Sequence, residues 1–389
     1  MKILYYSPNP HLGLHDPSGY GTHMREMIRA MEELGHEVIP FIVGGQQVDS
    51  AAKIGAERTR LLKRFIPKYI WSSLRDRQLL KKDRLLKKQL IDLIKKEKPD
   101  LIYERGSHLQ LSGVRAAMQL HIRHVVEVNA PLAEEKVLFG GGSWFDKKAH
   151  KSEKQLLEGT SRVLVVSSAL RDYFIKRHSL DESRFAVIPN AVQKPDVVLD
   201  PEGIDTVRLR YNLVDKTVIG FVGSIFPWHG VDLMIKAFAE VALAFPNAVL
   251  LIVGDGVVLP ELKQLAIKLD LADRIHFTGN VPHLRVTDHI ACMDICVMAK
   301  SNWYGSPVKI FEYGVLGKAI VAPNTEPVAE VMEHGKDGLL VTPTSAEIKS
   351  AITLFLEQAE ARSRMGMSFQ TKVKRNHTWR INAMRSLEA

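Results

Sequence analysis

Cysteine is nearly absent from this chain: two residues in 389, Cys292 and Cys296. A disulfide framework and a cysteine-rich zinc site are thereby excluded. The two thiols lie four positions apart among Ile290, Met293 and Val297, which predicts core residues. No apolar run reaches the roughly 18 residues that a membrane-spanning helix needs. No Asp-x-Asp triplet occurs, so no paired carboxylates suggest a divalent-metal site. The dinucleotide fingerprint G-x-G-x-x-G is not completed after Gly19-Tyr20-Gly21. Solenoid repeats and low-complexity tracts are missing as well. Met1-Lys2 runs straight into Ile3-Leu4-Tyr5-Tyr6, without the longer apolar core of a signal peptide. A reduced, cytoplasmic protein is expected, with a peripheral place on the inner membrane face as a variant of that expectation.

What is present is ordinary globular material. Hydrophobic residues make up 46% and charged residues 25%. At about 150 residues per domain the length predicts two or three domains. The net charge of +9 is concentrated: residues 53–98 hold 16 basic and 5 acidic side chains. There Leu61, Leu62, Phe65, Ile66, Tyr69, Ile70 and Trp71 interleave with Lys63, Arg64 and Lys68. Two readings stand side by side. One is a solvated basic helix packed on its apolar side. The other is contact through 53–98 with an anionic membrane surface or a lipid-linked substrate. No zinc-finger spacing or RNA-binding aromatic signature accompanies the charge, so nucleic acid is not an expected partner.

Short apolar strands alternate with helical patterns along the chain. Strands are predicted at Ile3–Ser7, His36–Phe41, Leu101–Tyr103, His124–Val128, Val163–Val166 and Phe185–Ile188, with a long charged helix over 75–97. Residues 193–216, rich in Pro, Gly and Asp, break the rhythm and predict a linker. The pattern restarts with Val218–Val222 and Ala248–Val253, followed by Ile275–Phe277, Ile295–Met298, Ala319–Ala322 and Gly338–Val341. Such alternation predicts α/β architecture: two Rossmann-like, doubly wound domains of parallel strands, facing a cleft. The domains are expected at 1–195 and 196–371, with 372–389 crossing back to the first. Ligands of such sheets bind at the C-terminal strand edges, where glycine turns and helix N-termini present N–H groups.

The chemistry-bearing pieces follow the strands. Ser18-Gly19-Tyr20-Gly21 precedes a helix. Val222-Gly223-Ser224 leads through Trp228-His229-Gly230 into another. Val253-Gly254-Asp255-Gly256 and Phe277-Thr278-Gly279-Asn280-Val281 are strand ends with glycine turns. Gly305-Ser306-Pro307-Val308 opens a helix carrying Lys309 and Glu312 three residues apart, on one side of its first turns. A cation there can neutralise a diphosphate, and a carboxylate can accept hydrogen bonds from two vicinal hydroxyls. A plain surface ion pair is the competing reading of those two residues. Glu104, Glu127 and Asn129 end strands of the first half. His108, with His11, His15 and His23, lies in loops or helix starts.

The order and spacing of these pieces resemble glycosyltransferase family 4, retaining enzymes of the GT-B fold that use nucleotide sugars. The resemblance spans nearly the whole chain, including Gly35-His36-Glu37-Val38, Val166-Ser167-Ser168, Ile188-Pro189-Asn190-Ala191-Val192 and Gly335-Lys336-Asp337-Gly338. It implies that Glu312 binds the ribose and Lys309 the diphosphate, with His229 a second donor to phosphate. Amides around Gly21 would meet phosphate from the first domain. Gly279, Asn280 and Val281 would receive the base. Gly305, Ser306, Pro307 and Val308 would hold sugar and phosphate through backbone N–H groups. Glu104, Glu127, Asn129 and His108 are the acceptor-side candidates. Three departures from the family pattern stand out: Tyr304 stands where a first Glu is usual, Ser224 and His229 where a basic pair is usual, and Pro189-Asn190-Ala191-Val192-Gln193 where Pro-Asn-Gly-Val-Asp is usual. The resemblance implies no cofactor and no metal, only a nucleotide-sugar co-substrate, UDP ahead of GDP on family frequency. The acceptor would be a sugar, a lipid-linked glycan or a small molecule. A nucleotide-sugar epimerase or phosphorylase on the same scaffold, or an inactive sugar-nucleotide binder, are the alternatives.

Overall fold

A computed structural model describes residues 1–16, 19–45, 67–192 and 196–388. The basic stretch 53–66, Ser18, Gln193 and Pro195 lie outside the described residues. The chain divides into two compact units, Met1–Ile188 with Trp379–Ala389, and Pro189–Thr378. The first division falls at Ile188/Pro189, where the sequence suggested 195/196. The second falls at Thr378/Trp379, where it suggested 371/372. The expected linker is in part helical: Pro201–Arg210 forms a helix that buries Val207 in the core of the second unit. Pro201 sits in its first turn, where the missing N–H costs nothing.

In chain order the first unit contains β1 (Lys2–Ser7), α1 (Gly19–Glu33), β2 (Glu37–Ile42), α2 (Lys68–Glu97), β3 (Leu101–Arg105), α3 (Ser112–Leu120) and β4 (Arg123–Val128). It continues with α4 (Leu132–Gly140), α5 (Asp146–Gly159), β5 (Arg162–Val165), α6 (Ser168–His178) and β6 (Phe185–Val187). The second unit begins with α7 (Pro201–Arg210), β7 (Thr217–Val222), α8 (Val231–Ala244), β8 (Ala248–Val253), α9 (Leu259–Lys268), β9 (Ile275–Gly279) and α10 (His283–Ala291). Then come β10 (Ile295–Val297), α11 (Val308–Val315), β11 (Ala319–Pro323), α12 (Glu326–Ala329), β12 (Leu339–Val341), α13 (Ser345–Glu357) and α14 (Ala359–Asn376). The last helix, α15 (Trp379–Glu388), belongs to the first unit.

Each unit holds one six-stranded sheet with parallel pairing throughout, ordered β2-β1-β3-β4-β5-β6 and β12-β11-β10-β7-β8-β9. The second order is that of a Rossmann sheet, with its reversal between β7 and β10; in the first sheet the reversal lies between β1 and β3. β8 shows why these strands read as unbroken apolar runs. Leu250 and Ile252 face Phe238 of α8 and Phe355 of α13. Val249, Leu251 and Val253 face Phe311 of α11 and Phe369 of α14. Both faces are covered, so no position along the strand is left to water.

In the first unit Leu4, Tyr6 and Ile102 pack against Leu86, Leu90 and Ile94 of α2. That helix starts seven residues earlier than its charge pattern suggested. Its first turns bury Ser72, Ser73 and Asp76 in place of apolar side chains. Helix α4 gave no amphipathic signal and was not expected.

Gly113 of α3 lies against Glu104, where a Cβ would stand 1.9 Å from Oε2. Gly113→Ala should therefore lower stability by about 1–3 kcal/mol, the usual cost of overpacking a core, as read by urea denaturation.

Candidate active site

The C-terminal edge of the second sheet gathers most of the predicted residues. Glycine turns follow β7, β8 and β9 and pack on one another. A Cβ on Gly254, whose φ is +131°, would stand 2.1 Å from the Gly223 carbonyl. One on Gly256 would stand 2.1 Å from the Ile225 carbonyl. Only glycine allows these loops to close so tightly. Gly279, with φ +70°, faces open space, and Asn280 beside it is exposed.

Lys309, in the first turn of α11, reaches over this shelf. Its ammonium lies 4.5 Å from the centroid of the Phe221 ring and 3.2 Å from where a Gly223 Cβ would be. Among the described residues it makes no ion pair within 4.0 Å, with Glu312 or any other carboxylate. Burial pushes its pKa down to about 8, against the opposing pull of Glu312. Glu312 itself is pushed up by burial, with His283 and Lys309 partly offsetting the shift. Both side chains are half-buried. A surface ion pair is therefore the wrong description: two opposite charges sit close enough to feel each other, yet each remains short of a partner.

His229 ends the short 3-10 turn Pro227–His229. Its Nδ1 donates to the Ser224 carbonyl at 2.5 Å, which fixes the tautomer and leaves Nε2 for a ligand. Burial and then the Lys309 charge push its pKa down to about 4. Ser224 thus serves through its carbonyl. An incoming anion would oppose the second of these causes but not burial, the first.

The stretch before α11 is tied down by asparagines that the motif reading did not assign. Asn302 Oδ1 accepts the Gly305 N–H at 2.6 Å. Asn190 donates its N–H to Ser306 Oγ at 3.0 Å and its Nδ2 to the Ser306 carbonyl at 2.5 Å. Gly305 is consequently not a free donor, and Pro307 has no N–H at all. The expectation for 305–308 narrows to the amides that open α11, at Val308 and Lys309, which have no acceptor within the helix. Tyr304 is 6% exposed and stands edge-on to Trp303, so its side chain offers a ligand little surface. Val281 is half-buried beside the turn at Gly279 and Asn280.

In the first unit most of the acceptor-side candidates prove to be internal. Glu104 is fully buried, with His124 Nε2 at 2.8 Å. Glu127 receives Tyr103 Oη at 2.6 Å, His23 Nε2 at 2.8 Å, Asn129 Nδ2 at 2.9 Å and Arg105 Nη1 at 3.0 Å. Burial raises its pKa, but Arg105 and His23 prevail and hold it well below the usual carboxylate range. His23 is buried too, with Trp379 of α15 edge-on at 4.4 Å. His108 turns toward Asp76, 3.5 Å away. These carboxylates are structural because parallel strands bury both faces, and a charge there must be paired. Sequence position at a strand end could not distinguish that case from an open site. Among the described residues an open cavity lies at the ends of β1 and β2. It is about 470 Å³ and is lined by residues including His11, His15, Asp16 and Gly45. Gly21 is buried in the first turns of α1, where a Cβ would stand 2.1 Å from the Asp16 carbonyl. Among the described residues no group of three or more His, Cys, Asp or Glu is placed to hold a metal ion.

Two Rossmann-like units with this strand order make the GT-B fold. A solved structure of Anabaena HepE in complex with UDP matches with a TM-score of 0.72, at 19% identity, over 100% of this chain and 99% of that one. The family model Glycosyltransferase Family 4 matches residues 17–194, and Glycosyl transferases group 1 matches 206–370. The chain belongs to the family 4 type of glycosyltransferases. Among curated relatives, a GDP-mannose-dependent α-(1-6)-phosphatidylinositol monomannoside mannosyltransferase of Mycolicibacterium smegmatis is 27% identical over 52% of this chain and 54% of its own length. The α-D-kanosaminyltransferase of Streptomyces kanamyceticus is 24% identical over 66% and 65%. The chain thus spans between about half and two thirds of these relatives.

Glu127→Ala would strand Arg105 in the core and should cost on the order of 3–5 kcal/mol. A thermal melt that left the variant as stable as wild type would instead return Glu127 to the acceptor-side candidates.

Proposed function

We propose that the chain is a retaining glycosyltransferase, moving a sugar from a nucleoside diphosphate sugar to a hydroxyl acceptor. The observation that carries this reading is the pair of mismatched charges on α11. A half-buried ammonium with no counter-ion among the described residues suits a diphosphate. A carboxylate with raised pKa three residues on suits a ribose diol, whose hydroxyls donate to it. The glycine shelf below leaves room for backbone approach.

In this mechanism the bond from the anomeric carbon to the phosphate oxygen lengthens first, and negative charge builds on the departing phosphate. Lys309 and the first amides of α11 stabilise that charge, with His229 placed beside them. The acceptor oxygen attacks from the same face. Its proton passes to the departing phosphate, and the configuration is retained. No protein nucleophile is called for, and no divalent cation, since the protein's own cations meet the phosphate charge. UDP-sugars are the first donors to test and GDP-mannose the second, in view of the mannosyltransferase relative. The acceptor would be a sugar, a lipid-linked glycan or a small molecule in polysaccharide or glycolipid synthesis.

The experiment is a thermal-shift screen of UDP, GDP, ADP and CMP sugars with EDTA present, followed by turnover assays. A bound donor raises the melting point with the logarithm of its concentration over Kd. Lys309→Ala and Glu312→Ala should each lower turnover by about 10²-fold or more with the fold intact. Wild-type turnover in either variant removes the assignment. With donor but no acceptor, only slow hydrolysis is expected; conversion of the sugar to an epimer would favour a different reaction class.

The pH dependence has a definite sign. Lys309 is charged below about 8 in the free protein. A diphosphate raises that value on binding, so affinity is full below pH 8 and falls as pH rises through it, by up to about tenfold per unit. A nucleotide sugar has no terminal phosphate to titrate in this range, which isolates the protein's contribution. Calorimetric affinities from pH 7 to 10 check this. Lys309→Arg, if it binds, should flatten the fall.

A further inference from the structure

The start of α2 has its polarity inverted. Its first turns bury Ser72, Ser73 and Asp76 and expose Tyr69, Ile70 and Leu74. The buried polar groups are used. Asp76 accepts from Ser143 Oγ at 2.6 Å and lies 3.5 Å from Lys136 Nζ. Ser73 Oγ accepts the Trp144 N–H at 3.0 Å. This network pins the loop after α4 against α2 and displays what the loop carries. Trp144 is 63% exposed and stands edge-on to Tyr69, with ring centroids 6.2 Å apart. Leu138, at the end of α4, is also 63% exposed, and Val137 beside it 40%. Six large apolar side chains are thus exposed on the start of α2, the end of α4 and the loop after it, with Tyr69 and Trp144 in ring contact.

The exposed charges flanking these side chains are basic, while Glu134, Glu135 and Asp146 are half-buried. Arg75 and Arg77 of α2 and Lys147 and Lys148 of α5 are exposed. The nearby Asp76 is fully buried, and Asp146 is turned inward to the Ser143 N–H at 2.9 Å. Arg75 and Lys82, one heptad apart on α2, are close enough to His11 to help burial lower its pKa. A cationic band therefore runs from the apolar cluster toward the cavity at the ends of β1 and β2.

We infer that the apolar cluster of Tyr69, Ile70, Leu74, Val137, Leu138 and Trp144, with its basic surround, is a docking surface for an anionic lipid bilayer. Charge complementarity selects this occupant. A Trp and a Tyr carry the apolar–polar character that suits the headgroup boundary, and basic side chains meet anionic headgroups. Acidic side chains that would repel such a surface are withdrawn into hydrogen bonds. The surface is made of described residues only. It differs from the basic flank Lys81, Lys82, Lys87 and Lys88 in that apolar and basic groups are displayed together. The inference stands apart from the sugar-transfer reading.

The test is cosedimentation of the full chain with phosphatidylcholine vesicles, with and without phosphatidylglycerol. Wild type should bind the anionic vesicles and lose binding in high salt. Leu138→Ser/Trp144→Ser and Lys147→Glu/Lys148→Glu should each weaken binding by about tenfold or more, with melting temperatures and nucleotide-sugar thermal shifts unchanged. Absence of wild-type binding to anionic vesicles overturns the inference, as does wild-type binding by both double variants. Self-association of the wild type that Leu138→Ser/Trp144→Ser abolishes, without vesicle binding, overturns it in favour of a protein partner. A nucleotide-sugar shift that fails in the wild type speaks against the transferase reading alone.

Discussion

The second unit is organised around one unfavourable fact: an ammonium group held over the Phe221 ring with no counter-ion within 4.0 Å among the described residues. A lysine on a surface helix would extend into water, but Lys309 sits in the first turn of α11 directly behind the β7 edge. Phe221 offers its ring face, which is worth roughly 0.5–2 kcal/mol to a cation and cannot replace lost hydration. The pKa of about 8 records that deficit. Glu312 is poorly solvated too, yet the two do not close into a pair. The arrangement is stable because the surrounding core fixes it: Ile310, Phe311 and Tyr313 of the same helix are fully buried against β8 and α14. Tyr313 Oη also accepts the Val222 N–H at 2.8 Å, clamping helix to strand one residue before the glycine turn. Core packing thereby holds two charges where solvent and each other would not.

The first unit answers the same problem the opposite way. Glu127 and Glu104 are buried carboxylates: Glu127 has His23, Arg105 and further donors at hydrogen-bond distance, and Glu104 has His124 at Oε2. A carboxylate with four donors has no capacity left for a ligand. What distinguishes a structural charge from a working one is therefore not burial, which both sets share in some degree. It is whether the partners are supplied within the fold. By that measure Lys309 and Glu312 are unfinished and Glu127 is complete. His229 is intermediate, with one nitrogen committed to Ser224 and one left open.

Much of this architecture is legible in the residues. Runs such as Ala248–Val253 have no polar interruption and so imply strands covered on both faces. The glycines after Val222, Val253 and Phe277 mark the strand ends, and a three-residue spacing puts Lys309 and Glu312 on one side of a helix start. Other features have no local signature. Glu104 and Glu127 look the same from sequence as open-site carboxylates, because their partners His124, His23 and Arg105 are distant in the chain. Asn190 reaches Ser306 across 116 positions. Helix α7 is concealed by a Pro- and Asp-rich composition that reads as linker, since its stability comes from Val207 and its packing on α10, not from periodicity.

Helix α2 shows both situations within thirty residues. Its second half obeys the ordinary rule, with Leu86, Leu90 and Ile94 one turn apart and buried on the sheet. Its first half breaks the rule, because Asp76 and the two serines face inward and the apolar side chains face out. Hydrophobic periodicity alone therefore places the helix start too late: it registers the half that packs and misses the half that is polar inside. The breach is compensated locally by Ser143, Lys136 and the Trp144 amide. Energetically such a start is tolerable where the buried polar groups find partners: Asp76 Oδ2 accepts from Ser143 Oγ, Ser73 Oγ accepts the Trp144 N–H, and Asp76 Oδ1 has only the Lys136 charge 3.5 Å away. Departure from the packing rule and the display of Trp144 are thus one feature, since the hydrogen bonds that make the inverted turn affordable are the same ones that fix the loop.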